Sequence, residues 1–123
     1  MTVTATAFDI EVFRRAYEEW DVETLLALYA DDVEIIQIDR DNPPSTPKVR
    51  HGKDILKGMF EHCAAAGVKA TVENTVFDGR RAAATVTCEF PGGRKVLANG
   101  IFDIEKGRIA RERDVVSGDA KGA

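Results

Sequence analysis

The sequence predicts an α+β domain, with three helices closing a pocket over one face of a curved antiparallel sheet. Three observations point to that class. Apolar residues recur at spacings of three and four through the first half of the chain. From Val68 onward the period changes to two. Turn signals at Asp78-Gly79, Pro91-Gly92-Gly93 and Lys106-Gly107 then cut the second half into four strands. Helices followed by a run of strands segregate onto one face of a sheet, here in the order α-α-β-α-β-β-β-β.

The 123 residues read as a single domain over 1–123, long enough for a core without metals or disulfides. No apolar run approaches a membrane span, and Met1-Thr2-Val3-Thr4-Ala5-Thr6 lacks the features of a signal peptide, so the expected location is cytoplasmic. A net charge of −4 without a basic cluster argues against nucleic acid or an anionic membrane as partner. Cys63 and Cys88 fall in apolar phase as buried reduced thiols, and no ligand-spaced set suggests a metal or another cofactor.

Residues 7–20 form the first helix, with Ile10, Phe13, Tyr17 and Trp20 as its apolar stripe. Asp21 caps a short second helix whose inner residues are Val22, Leu25, Leu28 and Tyr29, closed by Asp31-Asp32. Val33 to Ile38 is a strand with Val33, Ile35 and Gln37 on one side. The loop from Asp39 toward Arg50 holds three of the four prolines and reads as a stiff lid, dimer contact or plain surface loop, not a strand. The third helix follows His51-Gly52, buries Ile55, Leu56, Met59, Phe60 and Cys63, and ends at a left-handed Gly67.

In the strands, Val68, Ala70, Val72, Asn74 and Val76 share one face, as do Ala82, Ala84, Val86, Cys88 and Phe90. Val96, Ala98, Gly100, Phe102 and Ile104 follow on the next strand. The small residues among them let the sheet curl and leave space behind it. Residues 118–123 read as a disordered tail, with fraying from Ser117 onward.

The last strand carries the chemistry. Alternation puts Ala110, Glu112, Asp114 and Val116 on one face and Ile109, Arg111, Arg113 and Val115 on the other. Glu112 and Asp114 then lie about 6.6 Å apart along the strand, within reach of one ligand. In a pocket lined by Phe13, Tyr17, Trp20, Phe60, Val86 and Phe102, burial and mutual repulsion would raise their pKa values and divide them into an acid and a base. On the opposite face the pair would meet only solvent or arginines. Gln37 and Tyr17 are the candidates to orient a substrate, set against the plainer readings of a satisfied amide near the rim and a core tyrosine with a tied hydroxyl. The outward Leu97 and Ile101 predict a covered face and hence a homodimer, with Arg111 and Arg113 pairing with Glu73 or Glu89, or across the dimer.

Trp20-Asp21-Val22-Glu23-Thr24-Leu25 leading to Leu28-Tyr29-Ala30-Asp31-Asp32-Val33, then His51-Gly52-Lys53-Asp54-Ile55, then Gly107-Arg108-Ile109 entering a strand with Asp114, resembles the nuclear-transport-factor-2-like superfamily. The SnoaL-like polyketide cyclase and ketosteroid isomerase branches are nearest, and the resemblance runs from about Phe8 to Val116. It implies a cone-shaped, cystatin-like roll that binds a small molecule in its hollow and often dimerises through the convex face. It does not carry the ketosteroid isomerase site: the tyrosine, base and second acid of that site fall on Phe13, Gln37 and Gly100. Nor is the arginine-bracketed aspartate pair of the epoxide hydrolases present. The SnoaL-like ending Ile-x-Glu-His-Trp-Asp stands here as Ile109-Ala110-Arg111-Glu112-Arg113-Asp114, which registers Asp114 on that branch's final aspartate and puts Glu112 in place of the histidine.

Two functions fit. One is a cofactor-independent isomerase, cyclase or dehydratase acting on a small apolar carbonyl compound, with Asp114 as base and Glu112 as acid. The other is a ligand-binding or dimeric assembly module with the same pocket and no turnover.

Overall fold

The computed structural model describes residues 7–119. Three helices, α1 (Ile10–Glu18), α2 (Val22–Ala27) and α3 (Lys53–Ala65), lie against a six-stranded open sheet. Its strands are β1 (Tyr29–Ile38), β2 (Lys48–His51), β3 (Lys69–Phe77), β4 (Arg81–Glu89), β5 (Lys95–Glu105) and β6 (Arg108–Gly118), in the spatial order β2-β1-β6-β5-β4-β3. The α+β class holds, with helices gathered against the sheet. The sheet is mixed, however: β1 runs parallel to β6, and the other pairings are antiparallel.

Local chemistry sets the helix ends. Asp9 accepts from the amides of Glu11 and Val12, so α1 begins at Ile10 and not at residue 7. Asp21 caps α2 by accepting from Thr24 N, and Gly67 takes φ +74° after α3. Trp20 at φ +53° makes the tight passage from α1 to α2, an unusual conformation for a bulky residue. Its indole Nε1 donates to Val68 O at 2.7 Å, which holds the ring against that strain.

Several expectations are corrected. Tyr29 does not belong to the second helix: that helix ends at Ala27, and Tyr29 opens β1 paired to Ile109. The loop after Asp39 gives way to a strand at Lys48, immediately beyond Pro47, once no further proline removes a donor. Two bulges overturn strict alternation. On β3 the register moves from Glu73↔Thr85 to Val76↔Ala83, with Asn74 at φ +55°, and Val76 turns outward to 62% exposure. On β6 it moves from Asp103↔Arg111 to Ile104↔Ile109, so Ile109 shares the buried side with Glu112 and is 0% exposed. Ser117 and Gly118 are not frayed but pair with Leu97 and Val96, and Asp119 accepts from Lys95 N; residues 120–123 of the expected tail lie outside the described residues.

The core sits between helices and sheet, built from Phe8, Phe13, Leu25, Leu28, Tyr29, Val33, Leu56, Phe60, Phe102 and Ile109. Toward the ends of β4, β5 and β6 that carry Val86, Ala98 and Val116, the side chains shrink. There the core opens into a cavity.

Candidate active site

The cavity is about 280 Å³ and is floored by four adjacent strands, β1, β6, β5 and β4. Cross-strand rows define the floor. Ala82, Phe102 and Glu112 share one row, Ala84, Gly100, Asp114 and Gln37 the next, and Val86, Ala98 and Val116 the third. Its roof is aromatic: Phe13 and Tyr17 come from α1 and Trp20 from the turn after it, with ring centroids 5.4–5.5 Å apart in sequence. Phe90 and Phe102 close the sides, and Met59, Cys63 and Cys88 bring sulfur to the lining.

Glu112 and Asp114 both project into this cavity, the inward phase of the two possible ones. Glu112 is 7% exposed, and the hydroxyl of Tyr29 donates to its Oε1 at 2.7 Å. Asp114 faces it closely enough for the two carboxyls to share a proton. Burial, then the charge and hydrogen bonding of Glu112, push the Asp114 pKa far above the ordinary carboxylate range; the Arg50 guanidinium opposes the rise weakly. Burial and the neighbouring Glu112 thus favour the protonated form of Asp114. Burial and the charge of Glu112 likewise raise the hydroxyls of Tyr17 and Tyr29 well above their usual value, so both remain donors. Burial pushes the Cys88 thiol up to about 11 and raises that of Cys63, which makes both poor nucleophiles.

Gly100 lies beside Asp114 in the floor. A Cβ built there would stand 2.7 Å from Asp114 Oδ1 and 2.9 Å from Phe102 Cζ. Gln37 lines the cavity edge, with its amide engaged at both ends. Arg50 Nη2 donates to Oε1 at 3.0 Å, and Nε2 donates to Asp39 Oδ2 at 2.6 Å. Those partners also assign the amide's orientation, because a guanidinium only donates and a carboxylate only accepts.

Of the residues expected from sequence, Asp114, Glu112, Gln37, Tyr17, Phe13, Val86, Phe102 and Trp20 meet around one cavity. Phe60 does not. It lies 1% exposed behind the rings of Tyr17, Trp20 and Tyr29, backing the lining without reaching the cavity. Sequence reasoning missed the role of Tyr29, because its partner is 83 residues away and only the β1–β6 pairing joins them. Phe90, Val96, Ala98 and Val116 were legible as the ends of inward-facing alternations. Arg111 pairs with Glu34 on the neighbouring strand at 2.9 Å, not with Glu73 or Glu89, because the neighbours of β6 are β1 and β5. His51 makes a local contact with the same Glu34 at 3.2 Å, and His62 is exposed. Among the described residues no cluster of three or more His, Cys, Asp or Glu is placed to hold a metal, and no helix is long and apolar enough to cross a membrane.

The model of the SnoaL-like domain family matches residues 10–112. Solved structures with the same fold include a candidate ketosteroid isomerase from Kribbella flavida DSM 17836. It is 18% identical, with 93% of this chain and 78% of that one covered at a TM-score of 0.70. A candidate polyketide cyclase from Pseudomonas putida KT2440 is 23% identical over 85% and 86% of the two chains, at 0.64. An uncharacterised bacterial protein with a cystatin-like fold from Silicibacter pomeroyi DSS-3 is 17% identical over 88% and 72%, at 0.66. At these identities the likeness speaks for the fold alone. No curated protein matches the chain.

Proposed function

Because this chain belongs to the SnoaL-like domain family, we propose that it is a pocket protein that catalyses proton transfer on a small, uncharged, largely apolar carbonyl compound without a cofactor. The observation that supports this most is the placement of two carboxyls side by side in an aromatic cavity, with Tyr29 fixing the orientation of Glu112. The reading exchanges the roles expected from the sequence. Asp114, the proton-bearing partner, donates to the carbonyl oxygen, and Glu112 takes the proton from the adjacent carbon. After the step Glu112 carries the proton and Asp114 the charge, so the pair's total charge is unchanged. No new charge has to be created in a low-dielectric site, where isolated charge is most costly. The Tyr17 hydroxyl and the Gln37 amide orient the substrate. Isomerisation, cyclisation and dehydration all begin with such a step.

We also infer a homodimer through the outer face of the sheet. One cross-strand row there carries Val49, Ile36, Arg113, Ile101, Ala83 and Val76, predominantly apolar and open to solvent at Ile101 and Val76. Free thiols at Cys63 and Cys88 fit a reducing, cytoplasmic location.

The test uses 1-tetralone in D₂O, with deuterium entry at the carbon next to the carbonyl followed by proton NMR. The wild type is expected to accelerate exchange, and Glu112→Gln to lower that rate by roughly 10²–10⁴-fold. Saturable binding without accelerated exchange would sink the catalytic reading in favour of a binding module. Absence of binding would remove both.

A further inference from the structure

Gly100 occupies the middle of β5, with Ala84 opposite it on β4 and Asp114 on β6. Glycine weakens a strand interior, because it loses more backbone freedom on folding and offers no side chain to pack. At the chain's turns the compensation is a left-handed backbone, but Gly100 is not among the residues at positive φ. The reason for glycine here is therefore steric. The space a Cβ would fill is already taken by Asp114 Oδ1 at 2.7 Å and the Phe102 ring at 2.9 Å, and real Cβ atoms do not approach so closely.

We infer that Gly100 is a positioning residue for the acid pair: its missing side chain is the berth that lets the Asp114 carboxyl lie down against the sheet, beside Glu112 and largely shielded from water. This rests on the reading of Asp114 as the proton-bearing acid. Without the berth, the carboxyl would rotate toward the cavity mouth or Phe102 would be driven out of the floor. In the first case the acid regains solvent and loses its proton near neutrality. In the second the cavity changes shape.

The test is a double-mutant cycle of Gly100→Ala with Asp114→Ala, read by denaturant unfolding. It is joined to the titration of Asp114 followed by carbon NMR of labelled aspartate. Gly100→Ala is expected to lower the folding equilibrium constant at least about threefold more when Asp114 is present than when it is alanine, since contacting residues couple and the Phe102 contact, common to both backgrounds, cancels across the cycle. In Gly100→Ala the Asp114 titration moves down by about one pH unit or more, as desolvation is relieved. Gly58→Ala in α3, where a Cβ meets nothing within 4 Å, leaves that titration in place. If Gly100→Ala alone fails to fold, recovery of folding on adding Asp114→Ala supports the berth, and no recovery overturns it. Equal losses in both backgrounds with an unmoved titration also overturn it. Intact coupling in a protein that exchanges no ketone protons would sink the catalytic reading and leave the berth standing.

Discussion

Strand β6 presents two different electrostatic worlds one residue apart. On its outer face Arg111 meets Glu34 at 2.9 Å, with the two side chains 55% and 29% exposed. Such a pair is solvated and screened and contributes about 1 kcal/mol or less. On its inner face Glu112 and Asp114 are enclosed by rings, and Tyr29 completes the site. There the same kind of group holds its proton far above the ordinary range. The covalent chemistry is common to both faces, and water is what differs. Charge on the outer face is inexpensive and nearly inert, whereas charge on the inner face is scarce and therefore usable.

The contrast depends on a wall behind the cavity that keeps water out, and its largest test removes part of that wall. Phe60 is 1% exposed and backs Tyr17, Trp20 and Tyr29, with centroid distances of 5.5–6.4 Å. Phe60→Ala should destabilise the fold by about 3–5 kcal/mol in denaturant unfolding. A loss below about 1 kcal/mol would mean that the rings are not packed as a wall. The inner face would then have no claim to be dry.

The second test sharpens the comparison through pH. An acid whose folded pKa lies above its unfolded value of about 3.9 binds its proton more tightly when folded. Its contribution to stability is full below that unfolded value and falls as pH rises toward the folded one. For Asp114, raised by burial and by Glu112, the window opens near pH 4 and extends past neutrality. Asp114→Asn keeps a neutral side chain at every pH and abolishes this loss. The stability of the variant relative to wild type should therefore rise by about 1.4 kcal/mol per pH unit, close to 3 kcal/mol between pH 5 and pH 7. Parallel stability curves would show that the inner carboxyl titrates as an outer one does.

Much of this contrast was legible in the sequence, for local reasons. The two-residue period set Glu112, Asp114, Gly100 and Gln37 on one side, and the caps at Asp21 and Gly67 depend on nearest neighbours only. What escaped is non-local. A bulge adds one residue and reverses parity, as at Ala110 and at Asn74-Thr75, and its position depends on how the partner strand lies. Lys48 to His51 has too little apolar pattern to announce a strand and becomes one only because β1 offers an edge. Tyr29 looked like the end of a helix until parallel pairing with β6 brought Glu112 to its hydroxyl. The acids could be read from sequence, but the group that orients them could not.

The smallest expected effect on the fold is on the outer face, and it tests the other half of the comparison. Ile101 is 49% exposed and lies beside Arg113 across the strand pair. A substitution there leaves the interior packing alone, so Ile101→Arg should change unfolding stability of the monomer by no more than about 0.5 kcal/mol. In the proposed dimer the same substitution sets two symmetry-related guanidiniums against an apolar patch, where burying unpaired charge is unfavourable. Sedimentation should then show the dimer dissociating at protein concentrations at least about tenfold higher than for wild type, the equivalent of about 1.4 kcal/mol. A monomeric wild type would leave Ile101, Val76 and Val115 as ordinary exposed residues. An Ile101→Arg protein that unfolds would show that the outer face is as tightly determined as the inner one, and the contrast drawn from β6 would not hold.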